Sequence, residues 1–394
     1  MPWVIRRNMT LDTTRITVVG GGHAGRGLAA YLSLQGYEVT LYNRTFQNVA
    51  GIHQIGGLHV TGVIEGFAPL HLVTDDMGAA IPGRDMILVT VPAHAHRWIA
   101  ERMAPYLESG QLVLLMPGRT GGALEFSRVL SLMSCESEIL LGEAQTYSFV
   151  SRTTGATSVH VSEIKNFVRV SAFPAIGNRR LLRHLRRLPL SFELADNVME
   201  TGLNNIGAML HPAPTILSAG LLESRGGGYN HYRDAISPTV AHLIERMDAE
   251  RVQVAEELSL SPVTLVEWLR ESYDATGSTL YECIRNVKAY ENVGSPSNLH
   301  HRYVLEDVPT GLVPIAFLGR LVGVKTPTID TVINMACHLY ERSFWREGRN
   351  LVRLGLEGLT PTEVIEYVYT GVRATEVPSI DELWSVYGME VDEV

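Results

Sequence analysis

Through the first half of the chain, short apolar runs recur with helical segments between them. Ile16 to Val19 and Glu38 to Tyr42 are two such runs; Asp85 to Val91 (DMILVTV) and Gln111 to Met116 (QLVLLM) are near-continuous apolar stretches of the kind a buried parallel strand shows. Helical spacing follows three of them, over about Ala24 to Gln35, Ala93 to Leu107 and Ala123 to Met133. His59 to Leu72 alternates in a way that suits two short strands, and Ile139 to Gly142, Ser158 to Val161 and Phe167 to Ser171 are expected to complete the same sheet. From about Ser191 the strand-like runs disappear. Amphipathic segments take over: Asp196 to Met209, Pro212 to Leu222, Pro238 to Leu258, Pro262 to Tyr273, Thr279 to Tyr290, Pro309 to Leu321, Pro327 to Glu347 and Thr362 to Thr370, several opening on a proline whose missing N–H costs nothing in a first turn. The expected class is therefore α/β: a doubly wound parallel sheet over 15–190, an all-helical domain over 191–394, and a tail over 1–14.

The turn after the first strand carries the spacing Gly20-x-Gly22-x-x-Gly25 inside ITVVGGGHAGRGLAAYL. With a strand before it, a helix after it and a second strand beyond, this is a Rossmann-type dinucleotide unit. Gly20 permits the tight turn, Gly22 admits a pyrophosphate to the backbone, and Gly25 lets helix and strand approach; His23 and Ala24 open the helix whose free N–H groups and dipole receive the anion. The second strand ends in Asn43-Arg44-Thr45, where an NAD site usually places a carboxylate for the ribose 2′-OH. Nothing there repels a 2′-phosphate and Arg44 can pair with one, so NADP is expected ahead of NAD. Ligands of open α/β sheets bind beyond the carboxyl ends of the strands, so Val91-Pro92-Ala93, Met116-Pro117-Gly118 and Gln145-Thr146-Tyr147 are expected at the nicotinamide end, Pro92 among the cofactor contacts.

Composition narrows the class further. The chain has 394 residues, 45% hydrophobic and 19% charged, with net charge −9: room for two cores and no sustained basic surface for nucleic acid. Arg179, Arg180, Arg183, Arg186 and Arg187 form one basic cluster, read as a solvated helix face. Cys135, Cys283 and Cys337 are odd in number and far apart, so neither a disulfide framework nor a metal site is expected, which fits the cytoplasm. No apolar run reaches membrane length and the first residues lack a signal-peptide core, so no membrane partner is expected.

A nicotinamide enzyme acting on a carbonyl or imine needs a proton donor and a cation for substrate carboxylate. Of the 14 histidines, His211 stands out in Asn205-Ile-Gly-Ala-Met-Leu-His211-Pro212, at the junction of two helical segments. The stretch Arg302-Tyr303-Val304-Leu305-Glu306-Asp307-Val308-Pro309 supplies a cation and carboxylates; Asp307 is also placed to cap the next helix, and sequence leaves both readings open.

At these residues the chain resembles the octopine/nopaline (opine) dehydrogenase family, over nearly its whole length. N-x-x-x-x-x-H-P at Asn205 to Pro212 and R-Y-x-x-E-D-x-P-x-G-L-V-P at Arg302 to Pro314 carry the resemblance, together with Gly20, Gly22 and Gly25. It implies that His211 is the acid/base, Asp307 its orienting carboxylate, and Arg302 the substrate-carboxylate anchor, with Asn205 beside the substrate. It implies too an NAD(P)H-dependent reductive condensation of an α-keto acid, such as pyruvate, with the amino group of an L-amino acid; Arg44 looks like the NADP-using branch. Two alternatives share the first domain: a hydroxyacid or polyol-phosphate dehydrogenase, which would more often rely on a catalytic lysine, and a non-catalytic dinucleotide sensor. A homodimer is expected.

Overall fold

The computed structural model describes residues 14–373, so the expected tail over 1–14 lies outside the described residues except for Thr14, which is buried. Among the described residues there are twelve strands: β1 (Arg15–Val19), β2 (Glu38–Tyr42), β3 (Gly57–Gly62), β4 (Gly66–Pro69), β5 (Leu72–Thr74), β6 (Met86–Val89), β7 (Leu112–Leu115), β8 (Leu140–Ala144), β9 (Phe149–Gly155), β10 (Ser158–Ile164), β11 (Val168–Phe173) and β12 (Phe192–Leu194). Two compact units divide the chain. Among the described residues, one holds those up to Gly118 with Val129–Ala195; the other holds Arg119–Arg128 and those from Asp196.

The first unit is built on an eight-stranded sheet in the order β12-β11-β8-β7-β6-β1-β2-β5. From β5 through β1 to β8 the strands are parallel, the doubly wound arrangement, with the order reversing between β1 and β6. The apolar runs explain the position: β6 and β7 are buried at every residue, as strands covered on both faces must be. Ser158 to Val161 is not part of this sheet, contrary to expectation. It belongs to β10, in a second, four-stranded sheet of order β4-β3-β10-β9, whose alternating exposure shows one face buried and one open. The buried face lies on the helix His23–Leu34, where Tyr31 meets Phe149 at 5.2 Å and a Cβ on Gly27 would stand 2.7 Å from the Ser151 hydroxyl. Alternation alone does not say which sheet a strand joins, and the chain from β3 to β10 is closed by parallel pairing of His59 with Ser158. Strand structure also persists past Ser191, since β12 pairs parallel with β11.

The second unit is helical. Pro238–Glu257 is the longest helix among its described residues, capped by Ser237 accepting from Val240 N–H; capping boxes at Thr264/Glu267, Thr279/Glu282 and Thr360/Glu363 start three more. Several segments read as single helices are broken. Asp196 to Met209 splits into Val198–Leu203 and Ile206–Leu210, because Asn204 and Asn205 turn their amides to Arg251, Val263 N–H, Arg119 and Thr120. Pro309 to Leu321 begins as a π turn, Val308–Leu312, before the α-helix Val313–Val322. Pro327 to Glu347 is two helices, Pro327–Tyr340 and Phe344–Glu347, and Pro262 to Tyr273 starts only at Leu265, after its Thr264 cap. Arg119–Arg128 groups with this unit through buried ion pairs: Glu125 takes Arg349 at 2.8 Å and Arg353 at 2.6 Å.

Candidate active site

In the first unit, Gly20 adopts φ +119°, which only glycine accepts readily. A Cβ at Gly25 would stand 1.7 Å from the Gly20 carbonyl oxygen, whereas one at Gly22 would meet nothing within 4 Å. Helix and strand therefore need Gly25, and the open space over Gly22 and the exposed His23 is where a pyrophosphate fits; Ala24 sits behind them in the first helical turn. Asn43 holds the turn from the end of β2: its Oδ1 accepts from Gly21 N–H at 3.0 Å and its Nδ2 donates to Thr45 O at 2.8 Å. Arg44 is exposed and stacks over Trp98 at 5.4 Å, with Arg102 on the same ring at 5.7 Å. Pro92 is exposed at the end of β6, at the point where strand order reverses.

Sequence reading missed Arg26. It is buried directly behind the turn, with Nε donating to Gly21 O at 2.8 Å, one terminal nitrogen to Gly155 O and Ala156 O, and the other to Asn48 O at 2.7 Å. Burial lowers its pKa, and four carbonyls meet its donors. The available signal was an arginine between glycines on an otherwise apolar helix face.

In the second unit the two motifs meet. His211 ends the helix Ile206–Leu210 and Pro212 starts the next, so the imidazole is fixed at a helix junction. Its Nδ1 lies 2.7 Å from Asp307 Oδ2. Asp307 does not cap the turn that follows; its side chain is 1% exposed and committed to His211 and Arg119. Gly311 makes the approach possible, since a Cβ there would stand 2.5 Å from Ala208 Cβ. His211 Nε2 is 3.3 Å from the Tyr232 hydroxyl, and the ring stacks on Tyr303 at 4.1 Å and 15°. Arg119, at φ +61°, lies 3.6 Å from Asp307 Oδ1 and 3.4 Å from Glu306, and donates to Asn205 Oδ1 at 3.1 Å. Asn205 is thus buried in the support of the dyad, its amide engaged by Arg119 and Thr120. Arg302 is exposed and, among the described residues, makes no ion pair; its guanidinium lies over the Tyr303 ring at 6.0 Å.

Electrostatics fixes the protonation state. Burial lowers the His211 pKa, with Arg302 and Arg119 adding to it and Asp307 opposing. Burial pushes Asp307 up, but Arg119, His211 and Arg302 outweigh it and hold the carboxyl below its ordinary value. The pair is therefore neutral imidazole and carboxylate, with Nδ1–H donating to Asp307 and Nε2 carrying the basic lone pair. His231, wholly buried 6.3 Å from His211, is pushed down to about 3 by burial and by His211, and stays neutral. Such a unit accepts and returns a proton at Nε2. The exposed Lys288 and Lys325 take no part in it. Tyr232 and His231 come from the four-residue helix His231–Asp234, too short to show a period, and Arg119 from a distant turn; Tyr303 was visible only as a member of the Arg302 motif.

Comparison with known proteins agrees with both halves. The model of the "NAD/NADP octopine/nopaline dehydrogenase, alpha-helical domain" matches residues 194–340, and that of the "NAD-dependent glycerol-3-phosphate dehydrogenase N-terminus" matches residues 15–130. An opine dehydrogenase of Arthrobacter sp. (strain 1C) is 37% identical over 351 residues, covering 89% of this chain and 97% of that one. Octopine dehydrogenase, solved with NADH and L-arginine or with pyruvate, shares the fold at TM-scores of 0.76 and 0.75, with 20% identity over 93% of this chain and 100% of that one. Yersinopine dehydrogenase with NADP+ bound follows at TM-score 0.67 and 15% identity, over 91% of this chain and 98% of that one. The chain belongs to the octopine/nopaline (opine) dehydrogenase family and is an NAD(P)-dependent oxidoreductase.

Proposed function

We propose that the protein condenses an α-keto acid such as pyruvate with the amino group of an L-amino acid and reduces the resulting imine, with NADPH preferred over NADH. The observation that carries this reading is the buried His211–Asp307 pair at 2.7 Å, with the exposed Arg302 guanidinium, which has no ion-pair partner among the described residues, on the same motif as Asp307. Arg302 holds a substrate carboxylate bidentately. His211 takes a proton from the substrate ammonium at Nε2 and returns it when the carbinolamine loses water; Asp307 keeps Nδ1 protonated and stabilises the imidazolium. Bound NAD(P)H supplies the hydride. Holding keto acid and amine together contributes much of the barrier reduction. The NADP preference rests on Arg44 and Arg102 flanking Trp98 where an NAD site would carry a carboxylate. The cytoplasm and a homodimer complete the reading.

The test is oxidation of NADPH or NADH by the purified protein with pyruvate, with and without a panel of L-amino acids. Oxidation that requires both partners, faster with NADPH, is expected. Oxidation with keto acid alone would move the protein to the hydroxyacid dehydrogenases, and faster turnover with NADH would refute the cofactor preference.

A further inference from the structure

We propose that Tyr232 is a catalytic residue, its phenol passing the proton between the substrate nitrogen and His211 Nε2, so that the working unit is Asp307–His211–Tyr232. The proposal rests on the imine-forming reading above for the identity of the proton that moves, and on geometry for everything else.

Nδ1 of His211 is committed to Asp307, so proton exchange with substrate runs through Nε2. Among the described residues, the one hydrogen-bond partner of Nε2 is the Tyr232 hydroxyl at 3.3 Å. The rest of the ring is closed off. Tyr303 lies flat on it at 4.1 Å, His231 stands 6.3 Å away, and the side chain is only 12% exposed. A substrate approaching Nε2 along its lone pair meets the phenol first. Tyr232 is itself fixed: it stacks on Tyr290 at 3.9 Å and 11°, meets His231 edge-on at 5.1 Å, and sits in the helix His231–Asp234 capped by Asn230. Asn230 donates to both Tyr290 O and Glu291 O at 2.8 Å, which ties the two stacked tyrosines together. The phenol makes no other hydrogen bond among the described residues, so its oxygen lone pairs are not committed to a second protein donor. Burial raises its pKa, keeping it a neutral hydroxyl that both accepts and donates, and the charge of Arg302 reaches it.

The transfer balances. A substrate N–H proton passes to the phenol oxygen while the phenol O–H proton passes to Nε2; the phenol is unchanged, and the imidazolium forms against the Asp307 carboxylate. The freed amine attacks the keto carbon. On dehydration the two transfers run backwards: the imidazolium re-protonates the phenol, which protonates the carbinolamine hydroxyl as it leaves as water.

Tyr232→Phe keeps the ring stack and deletes the relay. With NADPH, pyruvate and the amino-acid panel, kcat is expected to fall about 100-fold, within the range for a lost acid–base group, while KM for NADPH and pyruvate stays within about threefold. The acid limb of the pH profile should move upward, because the phenol's donation favours neutral imidazole; the other groups facing His211 (Asp307, Arg302, Arg119, Tyr303, His231 and His301) are unchanged. The dependence of rate on solvent deuterium content should be curved for the wild type, with two protons in flight, and linear for the variant. Near-normal kcat with an unmoved pH profile overturns the proposal, and so does a loss of kcat matched by a rise in both KM values, which marks a structural role. If the wild type reduces pyruvate without an amine, the condensation reading fails alone; the relay is then scored on that reduction, where the phenol protonates the carbonyl oxygen.

Discussion

Arg119→Met tests the electrostatic support of the dyad. The substitution keeps most of the side-chain bulk and removes a guanidinium 10% exposed, which lies 3.6 Å from Asp307 and 3.4 Å from Glu306, both 1% exposed. At an effective dielectric of about 20, a pair at that distance interacts by about 4–5 kcal/mol. Stripping one partner from a buried pair typically costs about 3–5 kcal/mol, so the two routes agree. For a unit of this size the midpoint of thermal unfolding should drop by about 10 °C at neutral pH. The pH dependence carries the sharper content. In the wild type the Asp307 pKa is lowered, so its contribution to stability is present above the ordinary carboxylate value near ~3.9 and is lost as pH falls through the lowered one. Without Arg119, burial has only the partners His211 and Arg302 opposing it, and the carboxyl shifts above that value. The deficit then grows with pH from about 4 until the raised folded-state value is passed, by at most about 1.4 kcal/mol per unit. Urea unfolding of both proteins at pH 5 and pH 7.5 should show the larger difference at the higher pH. A deficit below about 1 kcal/mol, or one identical at the two pH values, would refute the reasoning.

Other perturbations follow from the same geometry. Asp307→Asn should lower kcat by about 10³–10⁴ while leaving cofactor affinity unchanged, because the amide no longer enforces the Nδ1–H tautomer; steady-state kinetics with NADPH titrations checks both halves. Since the His211 pKa is lowered, the base stays neutral down to and somewhat below the ordinary histidine value, so kcat/KM should hold level on the acid side until below pH ~6.5; a fall already complete at pH 7 contradicts this. Arg44→Asp should reverse the cofactor ratio, raising KM for NADPH about tenfold or more and leaving KM for NADH little changed. Gly25→Ala puts a methyl 1.7 Å from the Gly20 carbonyl, and calorimetric titration should find NADPH binding abolished.

The sequence made the dinucleotide unit legible because its physics is local: a buried strand, a glycine turn and a helix start declare themselves within about thirty residues. His211 and Asp307 were legible as motif members, and Asp307's choice between cap and dyad was decided only by tertiary packing through Gly311. Sheet membership was not local. Ser158 to Val161 reads as any half-buried strand, and its partner His59 lies about a hundred residues upstream. Arg26, Arg119 and Tyr232 were invisible for another reason: a buried arginine, or a tyrosine in a one-turn helix, is defined by the carbonyls, carboxylates and rings around it, and those come from remote segments.

The discontinuous second unit bears on how such chains can be recombined. A crossover at residue 190, between what look like two consecutive domains, would give the helical half a foreign Arg119–Arg128 stretch. Arg349, 1% exposed, depends on Glu125 Oε2 and Thr120 O from that stretch, and Asp307 depends on Arg119. Exchange of substrate halves between relatives is therefore a three-cut operation, after Gly118, Arg128 and Ala195, in which ten residues from the middle of the nucleotide half travel with the helices.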